Sequence, residues 1–383
     1  MRIIYVTTSI EENDYVDFSK AWSVSLNPSN QNFHNKVIRS LALFNEVDVI
    51  SIRPFSRKKC SINKLKAENK TIGNIHYHYL RIPVSKVFRG VSLEAQAKRI
   101  ISPIEKEQAV LITDTINPRC VQISSLLKNK FNIPTLGICT DSPHNISGTN
   151  FVYTSYIMNN TKHFDGYITL TECLNSLYNK ANKPNLQFEG IVEEEIESFE
   201  DIKGKYFFFG GALLRRYGIY ELIKAFKQLN CKDISLLICG HHVETPTFEE
   251  AIKDDNRIKY LGTLPVKEVL SLENHAVANI NPRPYDEELE RYSVPSKTLE
   301  YLSSGALTIS ARNNDLEKHF QDCAIWTNSS DPEDLLMAMK KAISMSENER
   351  KKVAERAKNT AISLYSIEKI GKLLTDFLST FIH

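Results

Sequence analysis

Residues 281–311 read NPRPYDEELERYSVPSKTLEYLSSGALTISA and carry the sharpest chemical signal in the chain. The pattern predicts a strand ending at Pro282, an acidic and aromatic loop, and a helix that starts near Ser296. The first turn of a helix leaves backbone N–H groups without intrahelical partners, and the helix dipole favours negative charge there. Ser296 and Thr298 add hydroxyls at that start, Ser293 stands just before it, and Lys297 adds a positive charge. Such a combination is a seat for a diphosphate. Glu300 falls one turn further, where a carboxylate could accept two hydrogen bonds from the hydroxyls of a ribose. Gly305 would end the helix and turn the chain into the next strand. The S-x-P-S-K run is also an ordinary helix-capping signal, so its chemistry depends on the elements around it.

Those elements follow one grammar in two halves. Residues 3–8, 47–52, 76–82, 109–115, 134–140, 166–171 and 186–192 are short runs rich in Val, Ile, Thr and aromatics, as strands require. Between them, NQNFHNKVIRSLALF, NPRCVQISSLLKNKF and NFVYTSYIMNNT repeat apolar residues at helical spacing. The second half restarts at YFFFGGAL (206–213), with further strands at 234–240, 258–264, VANINP and LTISA, separated by helical segments. The βαβ alternation predicts mostly parallel sheets covered by helices. The boundaries are 1–192 for a first Rossmann-like domain, 193–205 for an acidic linker and 206–365 for a second domain. Residues 366–383 form a terminal helix that could pack back across the domains. Tandem doubly wound domains place a ligand cleft at the carboxyl ends of their strands.

The bulk properties exclude several classes. At 383 residues the chain suits two domains rather than one. No apolar stretch approaches the ~18 residues that span a bilayer, and the N-terminus lacks the pattern of a signal peptide. Seven scattered cysteines read as reduced thiols, which points to the cytoplasm. The net charge is +2, unevenly placed: residues 1–185 carry 23 Lys and Arg against 14 Asp and Glu, and residues 186–383 carry 25 against 32. The basic first half is suited to an anionic partner. No G-x-G-x-x-G follows the first strand, which disfavours a dinucleotide oxidoreductase.

The order of FGGALLRRYGIYELIKAF, LLICG, KYLGTL and SVPSKTLEYLSSG resembles the C-terminal domain of family 4 glycosyltransferases of the GT-B fold. The closer likeness is to a bacterial branch involved in capsule and other cell-surface polysaccharides, with a pattern like NPR…E…YSFPSKT-EYLASG. In the first half, residues 27–41, 165–175 and 183–192 look like the same branch. The resemblance implies an α/β GT-B fold: two Rossmann-like doubly wound domains, the first for the acceptor and the second for a nucleotide-sugar. It implies that Glu300 holds the donor ribose and that Ser296, Lys297 and Thr298 line the diphosphate. Gly210 and Gly211 would let the first strand's turn approach the phosphates.

Two departures from the family matter. Its usual Arg and Lys after the glycine are Ala212 and Tyr217 here, so Arg215 and Arg216 are the replacement cations, with Lys297 opposite. The family's first glutamate, eight before Glu300, is Tyr292 here. Glu288 falls where the branch carries a glutamate, with Glu290 and Glu287 as alternatives, and Arg291 would bind phosphate or order the loop. In the first domain Asp141 or His144 could contact the sugar or acceptor, and His34 is a further acceptor-side candidate. His241 and His242, after LLICG, could border the base or sugar.

No cofactor or metal is expected, because cationic side chains and a helix dipole can neutralise a leaving diphosphate. The implied reaction is a retaining transfer of a sugar, from UDP in particular, with the departing phosphate taking the acceptor's proton. The acceptor would be a glycan or a polyprenyl-diphosphate-linked glycan. Basic segments at 53–70, including Arg57, Lys58 and Lys59, and at 81–90 would meet an anionic inner leaflet peripherally. Nucleic acid is not an expected partner. The alternatives are a GT-B nucleotide-sugar epimerase and a non-catalytic partner subunit, the latter favoured by Ala212 and Tyr217.

Overall fold

Runs such as RIIYVT, AVLITD and TLGIC bury almost every residue, and a sheet can do this only when helices cover both its faces. The computed structural model describes residues 1–22, 28–54, 65–83, 85–146, 149–194, 204–240, 247–284 and 287–382. These divide into two units. The first comprises Met1–Ile191, Arg291–Ser293 and Ile367–His383, and the second Val192–Glu290 and Val294–Ser366.

The first unit holds β1 (Arg2–Thr7), β2 (Glu46–Ser51), β3 (Glu68–Ile72), β4 (Ile75–Tyr79), β5 (Ala109–Asp114), β6 (Thr135–Cys139), β7 (Gly166–Thr169) and β8 (Asn185–Gln187). They form one sheet in the order β3-β4-β2-β1-β5-β6-β7-β8. All neighbours run parallel except β3 and β4, which pair as a hairpin with Ile72 opposite Ile75. The basic stretch expected at 53–70 thus ends in an exposed edge strand, since Thr71 and Ile72 favour extended backbone and Gly73 (φ +54°) permits the turn. Helices α1 (Glu12–Trp22), α2 (Pro28–Ala42), α3 (Lys86–Ile101), α4 (Pro118–Phe131), α5 (Phe151–Thr161) and α6 (Glu172–Tyr178) connect the strands. Asn117 caps α4 by accepting from the amides of Arg119 and Cys120, with Pro118 at the first helical position.

The second unit holds β9 (Lys205–Gly210), β10 (Ile234–Cys239), β11 (Ile258–Tyr260), β12 (Ala278–Asn281), β13 (Leu307–Ala311) and β14 (Ile325–Thr327). All are parallel, in the order β11-β10-β9-β12-β13-β14. Its helices are α7 (Ile219–Lys227), α8 (Thr247–Ile252), α9 (Val266–His275), α10 (Glu287–Tyr292, whose last two residues group with the first unit), α11 (Ser296–Ser303), α12 (Asn314–Phe320), α13 (Pro332–Ser344) and α14 (Glu347–Tyr365). Alternation along FFF splits the core. Phe207 and Phe209 pack with Ile223 and Phe226 of α7 and with Met339 of α13, whereas Phe208 packs with Leu237, Leu272 and Tyr301. The linker expected at 193–205 falls mostly outside the described residues, and its end, Lys205, already belongs to β9.

The terminal helix, α15 (Ile367–Ser379), belongs to the first unit, where it packs along α2. The two backbones come close at Gly371, where a Cβ would stand 2.2 Å from the Ser40 carbonyl oxygen. Asn45 donates a hydrogen bond to Thr375 Oγ1 at 2.8 Å alongside. In an exposed helix Gly→Ala stabilises by about 1 kcal/mol. Gly371→Ala is expected to do the opposite, costing about 1–3 kcal/mol through overpacking. Thermal denaturation checks the sign, and a raised melting temperature would rule out this close packing.

Candidate functional site

Three strand ends of the second unit meet without intervening side chains. Gly240, directly after β10, takes φ +143°, and a Cβ there would lie 1.6 Å from the Gly211 carbonyl oxygen. Gly211 N–H donates to Cys239 O at 3.0 Å, which fastens the β9 turn to β10. Gly218 takes φ +77°, and its Cβ would lie 1.9 Å from Pro282 O, just past β12. Only glycine allows both approaches.

Helix α11 is pinned to these ends from below. Tyr301 is fully buried, and its hydroxyl accepts from Gly210 N–H at 2.9 Å. Thr298 is equally buried, and its Oγ1 bonds with Asn281 Nδ2 at 2.8 Å and with Ser310 Oγ at 2.8 Å. These bonds correct one expectation. The Thr298 hydroxyl faces the sheet and does not line a diphosphate seat, because it shares the buried face of α11 with Leu299, Tyr301 and Leu302. Gly210 N–H donates to the Tyr301 hydroxyl and Gly211 N–H to Cys239 O.

The other face of α11 carries the charge. Ser296 is exposed at its start, Lys297 keeps 29% of its side chain exposed, and Glu300 keeps 33%. Lys297 Nζ lies 2.7 Å from Glu300 Oε2 and 3.5 Å from Glu273 Oε1, a carboxylate of α9 with no exposed surface. The ammonium also sits 5.4 Å from the Tyr301 ring centroid. Burial favours the neutral amine, but Glu300 and Glu273 outweigh it and hold Lys297 well above the ordinary lysine range. Burial pushes the Cys239 thiol up to about 11, against the pull of Lys297, and pushes the Tyr301 hydroxyl up as well. The arrangement can therefore present one fixed cation and one movable carboxylate at the start of a helix.

The remaining candidates are dispersed. Arg215 and Arg216 are exposed in a short 3-10 turn, stacked over Tyr220 at 4.5 Å and Tyr217 at 4.9 Å. The Glu290 carboxylate accepts from Asn313 Nδ2, the residue that caps α12. Arg291 and Ser293 group with the first unit. Glu287 and Glu288 lie on α10, but their side chains are outside the described part, as are His241 and His242.

In the first unit, His144 is exposed, and Asp141 Oδ1 accepts from Ser142 N–H at 2.8 Å in a local turn. His34 is fully buried, a correction to its proposed contact with acceptor. It shares the apolar stripe of α2 with Val37, Ile38 and Leu41, bonds with the Tyr5 hydroxyl through Nδ1 at 2.7 Å, and places Nε2 3.5 Å from Asp114. Burial lowers its pKa against the opposing effect of Asp114. Sequence reasoning missed Glu273, Tyr301 and Gly240. Among the described residues no group of three His, Cys, Asp or Glu could hold a metal ion, and no helix is long and apolar enough to cross a membrane.

Thr298→Val keeps the shape of the side chain but strips Asn281 and Ser310 of their shared buried partner. The expected loss is about 1–3 kcal/mol, read as a lower denaturant midpoint, with Thr298→Ser retaining most of the stability.

Residues 215–375 match the model of a family described as glycosyl transferase-like. No curated protein sequence matches the chain. Among solved structures, the sucrose-phosphate synthase of Thermosynechococcus elongatus is similar over 99% of this chain and 100% of its own, with a TM-score of 0.69 at 11% identity. Anabaena HepE in complex with UDP gives a TM-score of 0.68 at 11% identity, over 99% of this chain and 100% of its own. The E. coli trehalose-6-phosphate structure bound with UDP-2-fluoro glucose gives 0.68 at 9% identity, over 99% of each chain. Likeness at such identities speaks for the fold. The chain thus has the parallel α/β fold of GT-B glycosyltransferase structures, and its residues 215–375 match the glycosyl transferase-like family.

Proposed function

We propose that the chain is a glycosyltransferase that takes its sugar from a nucleoside-diphosphate donor, UDP-linked in particular. One observation carries this reading: Lys297, held charged by Glu273 and Glu300, stands at the start of α11, near enough to Cys239 at the end of β10 to act on its thiol. Negative charge grows on a diphosphate as the glycosidic bond breaks, and a preorganised cation stabilises it where it forms. Ser296 adds a hydroxyl and the helix start adds its dipole. Glu300, partly exposed, would exchange its ion pair with Lys297 for the two hydroxyls of the donor ribose. The UDP and UDP-2-fluoro glucose bound in the Anabaena and E. coli structures support the choice of donor.

The reaction we infer is a retaining, metal-independent transfer, of a hexose in particular, in which the leaving phosphate accepts the proton of the incoming hydroxyl. Arg215 and Arg216 are the additional cations of this reading, and Glu288 is the acid that meets the donor sugar. A glycan or polyprenyl-diphosphate-linked acceptor in polysaccharide synthesis at the inner face of the membrane suits the basic first half. Arg57, Lys58 and Lys59 lie outside the described residues, but the segment at 81–90 leads into α3, where Phe88 and Val91 are exposed.

UDP is expected to stabilise the protein by about 2.7 kcal/mol at 100 times its dissociation constant, and Glu300→Gln should weaken UDP binding in calorimetry while the melting temperature of the free protein stays close to wild type. Unchanged affinity would remove Glu300 from the donor site. Incubation with radiolabelled UDP-sugars separates the classes: slow hydrolysis marks a transferase, epimer formation an epimerase, and silence a non-catalytic partner. Turnover should persist in excess EDTA; loss on chelation, with recovery on adding manganese, would overturn the metal-independent reaction.

A further inference from the structure

The two carboxylates around Lys297 differ in what they can do. Glu300 follows it on α11 with 33% of its side chain exposed, so water can replace the lysine as it moves. Glu273 approaches from α9 with no exposed surface, 3.5 Å from Nζ, and a buried carboxylate cannot leave its cation without bearing the full loss of hydration. If Glu300 is recruited by a ribose, Lys297 loses its nearer counter-charge at the moment when its own charge matters most.

We propose that Glu273 is a positioning residue that keeps the Lys297 ammonium charged and in place while Glu300 turns to the donor. Glu300 is the exchangeable partner and Glu273 the permanent one. The inference rests on the donor-site reading above. The groups that face Nζ are Glu273 from α9, Glu300 and Tyr301 from its own helix, and Cys239 from the end of β10. Burial holds the Tyr301 hydroxyl and the Cys239 thiol protonated near neutral pH, so among the described residues the two carboxylates supply the negative charge. The sign follows. Glu273 raises the pKa of Lys297, and burial lowers it. Without Glu273, and with Glu300 on the ribose, Lys297 loses its proton at lower pH than in the wild type.

The test is the dissociation constant of UDP by calorimetry between about pH 7 and about pH 9.5, below the ordinary lysine range. Wild-type affinity should stay flat across this interval. That of Glu273→Gln should weaken by about tenfold or more toward the alkaline end, because each unit above a pKa costs tenfold in the charged form. The double variant Glu273→Gln with Lys297→Arg should bind with a flat profile, since a guanidinium keeps its proton throughout. A flat profile at wild-type affinity in Glu273→Gln overturns the proposal while leaving the donor site in place. If wild type binds no UDP at any pH, the donor-site reading falls and takes this one with it. Should the Gln variant fail to fold, Glu273→Asp keeps a buried carboxylate but withdraws it from Nζ. An alkaline weakening intermediate in size is then expected, and a wild-type profile overturns the proposal.

Discussion

Everything the second unit can offer a ligand depends on how α11 is tied to its sheet. Two buried hydroxyls do this, Tyr301 to Gly210 at the end of β9 and Thr298 to Asn281 and Ser310 on β12 and β13. Hydrogen bonds of this kind contribute only about 1 kcal/mol each to stability, yet they fix direction, since a buried hydroxyl without its partner is costly. Three attachment points on three adjacent strands leave the helix no freedom to roll. Its opposite face is thereby committed to holding Ser296, Lys297 and Glu300 outward.

Placement then sets the electrostatics. Lys297 lies half withdrawn from water against a fully buried acid, and ion pairs of buried groups often add little stability over hydrophobic side chains of equal volume. A cation held in this way is oriented before any ligand arrives. The glycine contacts act in the same direction. At Gly240 and Gly218 the backbone itself forms the walls, and backbone is the least compliant material that a protein has for defining distance.

The sequence showed the alternation of strands and helices because apolar runs and helical spacing are local properties. It showed Ser296, Lys297 and Glu300 for the same reason: all three fall within one helix. The inward face of Thr298 was legible too, since Leu299, Tyr301 and Leu302 complete a helical stripe around it, as Val37, Ile38 and Leu41 do around His34. Reading those polar residues for their chemistry rather than their spacing placed them outward. Glu273 could not be found this way. It lies on a different helix, and its tie to Lys297 exists only after α9 and α11 pack on the same sheet. The hairpin strand β3, polar and short, carries too little periodicity to separate it from the loop before it.

Helix α15 gives the chain an order of assembly that its sequence order does not suggest. The unit that is synthesised first is completed by residues 367 onward, after the whole second unit has been made. At typical elongation rates of ~5–20 residues per second, about 9–35 s separate residue 191 from the start of α15, and through that time the apolar face of α2 lacks its cover. During that interval the first sheet is formed, but one helix of its outer layer is missing. A nascent chain in that state exposes the apolar surface of α2 that α15 covers. Loss of a few C-terminal residues would be felt in the N-terminal unit.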